Sequence, residues 1–414
     1  MKDNSASDVS ARRAARERSV PRSARSRLVA SLRLIAAWFQ ETLADGRPIT
    51  RQALKAPRSR AEEARTRQKR RDLPRRTEFL RRTPRNLTKH ARPGIPKRVQ
   101  TIQGRRGIVA TLGRGLRGPA VAIGNFDGVH LGHQALLAEA RRVACASGGE
   151  TVAMTFDPHP ARFFAPELAP PMLTSLGRRC ELLQAAGADV VLVEPFTNEL
   201  ASMEAEDFVE QVLAKELGAR HVVVGPDFSF GKGRRGSSGL LSSLGGRLGI
   251  GVTIVPPVTA CGLLCSSTKI REFVLEGRVE GAAKLLGRPF EIDGKVVPGA
   301  GRGRSLGVPT ANLASTAEII PKPGIYAARA RRLGEDSPWF AAAVSIGNNP
   351  TFAREGDPEL FIEAHLIDFE GDLYDARMRL AFLAHLREQR RFATADELVA
   401  EMQHDIARTR EICK

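Results

Sequence analysis

Gly124-Asn125-Phe126-Asp127-Gly128-Val129-His130-Leu131-Gly132-His133 is the stretch on which the fold turns. It follows a short apolar run, 121–123, and precedes a segment with helical spacing, 134–146. A buried strand, a Gly-bearing turn and a helix start make a cradle for phosphate, because helix-start N–H groups and the positive dipole end favour anions. His130 and His133 are three apart, so both imidazoles can face one anion from a single turn. Such a pair by itself is as often a surface pair or a metal clip. Gly128 and Gly132 beside it, and a later Ser-Ser-Thr segment at 266–268, favour the phosphate reading.

Outward from this point, apolar runs at 151–156, 190–193, 221–224 and 252–255 alternate with helix-like segments at 177–186, 205–217 and 240–248. Short buried strands alternating with helices predict a parallel sheet with helices on both faces. Ligands in such sheets bind beyond the carboxyl ends of the strands, which is where the decapeptide sits. Two more helix-like stretches, 267–275 and 280–286, close this half. From Phe290 the texture changes to Gly/Pro turns between alternating strands at 290–297, 324–330, 340–346, 360–366 and 378–382. That pattern predicts a small β-barrel. A helix is expected over 394–410, with Thr394 as N-cap and Glu397 completing a capping box.

The formal net charge of +18 suggests a nucleic-acid binder, but its placement argues otherwise. Residues 1–100 hold 28 of the 64 Lys+Arg and 9 of the 46 Asp+Glu, leaving 36 and 37 for the rest. The globular part is therefore near neutral. The basic segment is too poor in apolar residues to offset ordering entropy, apart from helical spacing over 28–43 that is too short and polar to span a bilayer. It is read as a mis-assigned start, with the true one near Val99, or as a disordered extension, ahead of a segment that touches RNA or anionic membrane. The first residues lack the apolar stretch of a secretory signal. Five scattered cysteines imply a reducing compartment and no disulfide framework; Cys261 and Cys265 have no partners nearby for a zinc site. The expected location is the cytoplasm.

Four segments of the α/β half stand at strand ends or a helix start: the decapeptide, Thr155-Phe156-Asp157-Pro158-His159-Pro160, Val224-Gly225-Pro226-Asp227-Phe228-Ser229-Phe230-Gly231, and Ser266-Ser267-Thr268-Lys269-Ile270-Arg271. Together they resemble the nucleotidylyltransferase superfamily and, more narrowly, the adenylyltransferase half of prokaryotic bifunctional riboflavin kinase/FMN adenylyltransferases. The resemblance implies that FMN's phosphate attacks the α-phosphate of ATP and pyrophosphate leaves. His130, His133 and Arg271 would be catalytic. Gly124, Asn125, Phe126, Asp127, Gly128, Gly132, Ser267 and Thr268 would hold ATP. Asp227 matches a flavin or nucleotide contact, and His159 is either such a contact or a turn residue.

The β half carries Gly299 to Asn312, a Gly-rich basic loop ending in Pro309-Thr310-Ala311-Asn312. Backbone N–H groups of such a loop can wrap phosphate. Thr310 and Asn312 face one side of an extended strand, where their oxygens can share a Mg²⁺ with ATP. Downstream come Gly324-Ile325-Tyr326, 346–352, Glu363-Ala364-His365, Gly371-Asp372-Leu373-Tyr374 and 386–392. This order resembles the riboflavin kinase domain of the same family. It implies Glu363 as the base on the ribityl 5′-hydroxyl, Gly301, Gly303, Arg304 and Gly307 around the ATP phosphates, Thr310 and Asn312 on the metal, and Arg387 as a flavin or nucleotide contact. Val308, Cys265 and Asp375 depart from the pattern, the last where Gly is usual in a turn.

The expectation is a Rossmann-like α/β nucleotidylyltransferase domain over 106–289 and a small antiparallel β-barrel kinase domain with a C-terminal helix over 290–414, after a basic, mostly disordered extension over 1–105. Its substrates would be riboflavin, FMN and ATP, its metal Mg²⁺, with no membrane partner. Nucleic acid could be touched only through 1–100. The rivals are a nucleotidylyltransferase with another acceptor, a class I aminoacyl-tRNA synthetase, and a nucleic-acid-binding protein. The Pro-Thr-Ala-Asn barrel has no use in the first, and the second should carry a Lys-Met-Ser-Lys-Ser-like loop that is missing here.

Overall fold

The computed structural model describes residues 100–299, 307–315, 317–334, 336–348 and 360–414. The helix-like stretch 28–43, and Gly301, Gly303 and Arg304, lie outside them. In the first half the strands are β1 Gln100–Gln103, β2 Ala120–Ile123, β3 Thr151–Asp157, β4 Val190–Pro195, β5 His221–Val224, a small hairpin of β6 Ser229–Phe230 and β7 Gly236–Ser237, and β8 Gly251–Ile254. Six of them form one parallel sheet in the order β1-β4-β3-β2-β5-β8. The helices are α1 Ile108–Leu112, α2 Leu131–Ser147, α3 Pro160–Phe164, α4 Leu176–Ala185, α5 Asn198–Ser202, α6 Ala205–Asp207 continuing as a wide-turned Phe208–Glu216, and α7 Ser238–Leu248.

On β2, Val121 and Ile123 join one core with Val209, Val212 and Leu241, while Ala120 and Ala122 join another with Leu137, Ala140 and Leu183. Burial on both faces is why these strands read as unbroken apolar runs. β1 lies before the change of texture at 106 and carries one buried residue, Ile102. An edge strand needs only one apolar face, so its sequence looks like part of the basic extension.

A short hairpin, β9 Thr259–Ala260 and β10 Leu263–Leu264, leads to α8 Ser267–Leu275 and α9 Val279–Leu286. The second half is built from β11 Phe290–Val297, β12 Ala311–Ser315, β13 Gly324–Arg332, β14 Phe340–Asn348, β15 Leu360–Leu366 and β16 Arg377–Arg387. They close as an antiparallel barrel in the order β11-β12-β15-β14-β13-β16. Ile292, Leu313, Tyr326, Val344, Ile346, Ile362 and Phe382 fill it. Ile270, Phe273 and Val274 of α8, and Val279, Ala282, Leu285 and Leu286 of α9, belong to that same apolar cluster. The core does not break where the texture of the sequence does.

The last helix, α10 Ala395–Ile412, lies against β13 and β14, and its Ile406 and Met402 pack with Val308 and Ile367. Thr394 caps it, its Oγ1 accepting from the Glu397 N–H at 3.2 Å. The reciprocal bond runs from the Ala393 N–H to Glu397 Oε2 at 3.1 Å, one residue earlier than a capping box requires. Asp375, where Gly was expected, adopts φ 60°. The turn is therefore kept, at a local cost of about 1 kcal/mol for a residue with a side chain.

Ion pairs bind α4 to the barrel wall. Arg379 of β16 is 1% exposed. It donates from Nε and Nη2 to the Asp293 carboxylate at 2.7 and 2.8 Å, and from Nη1 to Glu181 at 3.0 Å. Arg178 bridges Glu291 and Glu181 beside it. Burial opposes the Arg379 charge, but these carboxylates outweigh it and hold its pKa above the ordinary arginine value. Arg379→Ala is expected to cost about 3 kcal/mol of stability, because Asp293 would be left without its partner. Urea unfolding reads this directly, and an unchanged midpoint would refute the assignment.

Candidate active sites

The decapeptide leaves β2 and bends sharply, with Phe126 at φ 51°, Gly128 at φ 82° and Val129 at φ 42°. Gly128 takes this conformation freely, but Phe126 and Val129 are strained by it, and such strain clusters at functional sites. A side chain at Gly128 would also stand 2.8 Å from Leu173 Cδ1. α2 then begins three residues earlier than the sequence suggests, because His130 is its N-cap: Nδ1 accepts from the His133 N–H at 3.4 Å. The two imidazoles stack with centroids 3.6 Å apart. An accepting Nδ1 places the neutral ring's proton on Nε2, so His130 presents an N–H donor. Gly132 beneath is close-packed: a Cβ there would lie 3.0 Å from His130 Cε1.

Burial, helped by the Arg288 charge, pushes His130 down to about 4. Burial, then the charges of His130 and Arg179, holds His133 well below the ordinary histidine value. Both rings are therefore neutral donors at pH 7. The sign of the pH effect follows. The unfolded histidine binds protons below its ordinary 6.5 while folded His130 does not until about 4, so stability is lost as pH falls across that window. The gap amounts to about 3 kcal/mol for His130. The melting temperature should drop steeply from pH 6.5 to 4, less so in His130→Asn; equal slopes in the two proteins would count against it.

Asp127 is 2% exposed and is the hub of the loop. Its carboxylate accepts from the N–H groups of Leu173 at 3.0 Å and Thr174 at 3.2 Å, and pairs with Arg271. Arg271 Nε donates to Pro171 O at 2.7 Å, and the Ser267 hydroxyl donates to Asp127 O at 2.8 Å. The start of α8, capped by Ser266, is thereby latched to the decapeptide. Two helix N-termini converge on one loop. Ser267 and Arg271 spend these bonds on the protein; Thr268 and Asn125 are exposed. Gly124 carries Phe126 against it, the ring 3.4 Å from where a Cβ would stand.

His159 caps α3, its Nδ1 accepting from the Ala161 N–H at 3.1 Å. Burial is the main cause that lowers it to about 4; Asp127 opposes and Arg179 assists. Asp227, in the loop after β5, is exposed. Three features were not found in the sequence. Phe156, Phe163, Phe164 and Phe196 form an edge-to-face cluster beside His159, with Phe164 66% exposed. Arg288 lies behind the loop and donates to the carbonyls of Gly128 at 2.8 Å and Val129 at 3.4 Å. Arg179 is buried under the end of β3. The Arg162-Phe163-Phe164 run was a usable signal; an arginine on a helix was not.

On the barrel, Asn312 pairs directly with Glu363, and Glu363 with Ser345 on the next strand. Their neighbours Leu313, Ile362, Ala364, Val344 and Ile346 face the core. Alternation therefore puts Asn312, Glu363 and Ser345 on one outer patch, with Thr310 directly before the start of β12. Gly299 lies under Asn312, and a side chain at 299 would have to displace the Asn312 amide. Gln389 Nε2 donates to Ser345 Oγ at 3.1 Å, and His365 Nδ1 lies 2.8 Å from Pro309 O. Gly307 is exposed at φ 77°. Arg387 is spent on α10: it grips Asp405 with Nε and Nη2, the latter at 2.7 Å, and reaches Glu401. Next to it an open cleft of ≈ 590 Å³ is lined by Arg390, Arg391, Phe392 and His404.

Hard oxygens of Thr310 and Asn312 beside one carboxylate suit a divalent cation that takes its other ligands from phosphate and water. Among the described residues no cluster of three His, Cys, Asp or Glu could hold a metal by itself, and no helix is long and apolar enough to cross a membrane.

Two family profiles match the chain, FAD synthetase over residues 114–269 and riboflavin kinase over 286–413. A bifunctional riboflavin kinase/FMN adenylyltransferase of Pseudomonas fluorescens is 40% identical over 72% of this chain and 93% of its own. The protein of the same description from Escherichia coli K12 is 35% identical over 71% and 92%. A solved structure described as a macrolide-efflux protein from Streptococcus pneumoniae superposes with a TM-score of 0.66 at 29% identity, over 75% of this chain and 99% of that one.

Proposed function

The chain belongs to the bifunctional riboflavin kinase/FMN adenylyltransferase family, and from that premise we propose how its two sites divide the work. It phosphorylates riboflavin to FMN with ATP and adenylylates FMN to FAD with release of pyrophosphate. The barrel, 290–414, carries the first step and the α/β half, 106–289, the second. The observation that carries this reading is Asn312 opposite Glu363 on adjacent barrel strands. An α/β nucleotidyl site alone serves many acceptors; a kinase patch on the same chain names FMN.

In the first step Glu363 takes the proton of the ribityl 5′-hydroxyl as its oxygen attacks the γ-phosphorus of ATP, and ADP departs. Thr310 and Asn312 would hold Mg²⁺, which neutralises phosphate charge when bound. Gly307 would border the phosphates; Gly301, Gly303 and Arg304, assigned there from the sequence, lie outside the described residues.

In the second step an FMN phosphate oxygen attacks the α-phosphorus in line, and the electron pair leaves with pyrophosphate. No covalent enzyme intermediate is needed, so positioning and charge stabilisation carry the rate. His130 and His133 donate to the triphosphate as neutral groups. The N-termini of α2 and α8 add their dipoles. Arg271 both locks Asp127 and turns its remaining donors to phosphate, with Thr268 beside it. Phe164, the exposed member of the cluster beside His159, with the half-buried rings around it offers the flat apolar surface that an isoalloxazine ring requires, and Asp227 follows β5, across β2 from it. The five cysteines are all free, which fits a cytoplasmic protein.

Incubation with riboflavin, ATP and Mg²⁺, with flavins separated over time, tests the whole reading. Riboflavin should pass through FMN to FAD, and a chelator should stop it at riboflavin. Riboflavin left untouched under these conditions would refute the kinase assignment, and FMN that accumulates without FAD would refute the other.

A further inference from the structure

Two arginines among the described residues are buried, Arg379 at 1% and Arg179 at 3% exposure. They differ in one respect. Arg379 faces two carboxylates. Arg179, on α4, has only neutral partners: Nη1 donates to Thr155 Oγ1 at 3.4 Å and to Phe156 O at 3.3 Å. Its Nε is buried with no partner, and among the described residues Nη2 makes no hydrogen bond and no carboxylate pairs with the guanidinium. A guanidinium always carries its charge. Buried this deep with only neutral partners the charge is unfavourable, and a bound anion would offset the cost.

The location says which anion. Thr155 Oγ1, which accepts from Arg179, itself donates to Asn125 O at 3.0 Å. The guanidinium is thus two hydrogen bonds from the phosphate loop. Its charge helps depress both His133 and His159, so it lies near each. His133 Nδ1 is likewise buried without a partner. The nearby acid, Asp127, is committed to Arg271 and to two backbone N–H groups. Unmatched polar atoms of α4 and of the start of α2 thus stand where the nearby carboxylates are already engaged, Asp127 as described and Glu318 by Arg162 and the Met172 N–H.

We propose that Arg179 is a further catalytic residue of adenylyl transfer, its guanidinium binding the triphosphate of ATP and neutralising the charge that passes to departing pyrophosphate. The inference rests on assigning adenylyl transfer to the α/β half. In the step it serves, an FMN phosphate oxygen forms a bond to the α-phosphorus while the bond from that phosphorus to the bridging oxygen breaks. Pyrophosphate takes the electron pair, and Arg179 gives hydrogen bonds but no proton.

The test uses the full chain and measures FAD formation from FMN and ATP, with pyrophosphate and adenosine as inhibitors of that reaction. Arg179→Gln keeps a polar amide on the same stem but removes the charge. It is expected to lower kcat/KM for ATP by about 10²-fold, the loss that follows removal of one charge-stabilising donor. Pyrophosphate should inhibit the variant about tenfold more weakly, one contact's worth, while adenosine inhibits it as in wild type. Arg179→Lys, which restores the charge, should recover most of the lost rate. Wild-type kinetics in the glutamine variant would overturn the proposal. So would equal weakening of adenosine and pyrophosphate, or a lysine variant as slow as glutamine, since both mark a strut rather than a phosphate ligand. Failure of the wild-type chain itself to make FAD would instead sink the underlying assignment.

Discussion

Glu363→Gln is expected to stop FMN formation from riboflavin while the same protein still converts added FMN to FAD. The substitution removes the proton-accepting charge and keeps shape and hydrogen-bonding length. Glu363 is exposed on the outer face of the barrel, so the fold should not notice. Its partners across the strands, Asn312 and Ser345, are neutral and cannot take over as base. Loss of a positioned general base costs about 10² to 10⁴ in rate, which puts FMN formation near the limit of detection. The assay separates flavins after incubation with riboflavin in one tube and FMN in another. Loss of both activities would show that the sites are not independent, and FMN formation at the wild-type rate would remove Glu363 from the mechanism.

Replacing His130 and His133 together by Ala is expected to do the reverse. FAD formation from FMN should fall by about 10³-fold or more, since each neutral donor aimed at developing charge is worth roughly 10² to 10³. FMN formation should stay as it was. His130 is also the cap of α2, and loss of a cap costs about 1 kcal/mol. A single His130→Asn separates the two roles, because Asn is a good cap but lacks the outward Nε2–H. It should melt close to the wild type and still be slow in FAD formation. A double variant that makes FAD at the wild-type rate would eliminate the proposed phosphate role.

Much of this was legible in the residues, and the exceptions have physical reasons. Strands buried on both faces announced themselves as apolar runs, as β2 does with Ala120–Ile123. β1 did not, because Ile102 is its one buried side chain. β12 was read only as the extended stretch that carries Thr310 and Asn312 and was absent from the run of barrel strands, because in Ala-Asn-Leu-Ala-Ser the outer face carries chemistry and only Leu313 of the inner face is buried. The start of α2 was placed late, since Leu-Gly-His is not a helical opening unless histidine caps it. The two His, Asn312 and Glu363 could be named because motif order fixes them. What each arginine does could not be read. Arg271 meets Asp127 across 144 residues, Arg387 closes on Asp405 rather than standing free for ligand, and Arg179 looks like one more solvated charge on an amphipathic helix. Partner choice for a long cation is a property of the packed chain.

The apolar cluster shared by α8, α9 and the barrel makes the covalent order of the two halves misleading. The helix that latches Ser267 and Arg271 to the phosphate loop has Ile270, Phe273 and Val274 on its other side, packed with barrel residues. A fragment ending at residue 289 would keep every proposed adenylylation residue yet lay those side chains, and Val279, Ala282 and Leu285 of α9, open to water. The half that carries adenylylation therefore shares its apolar burial with the half that carries phosphorylation, so joining the two in one chain does structural work beyond any convenience of handing FMN from one site to the next.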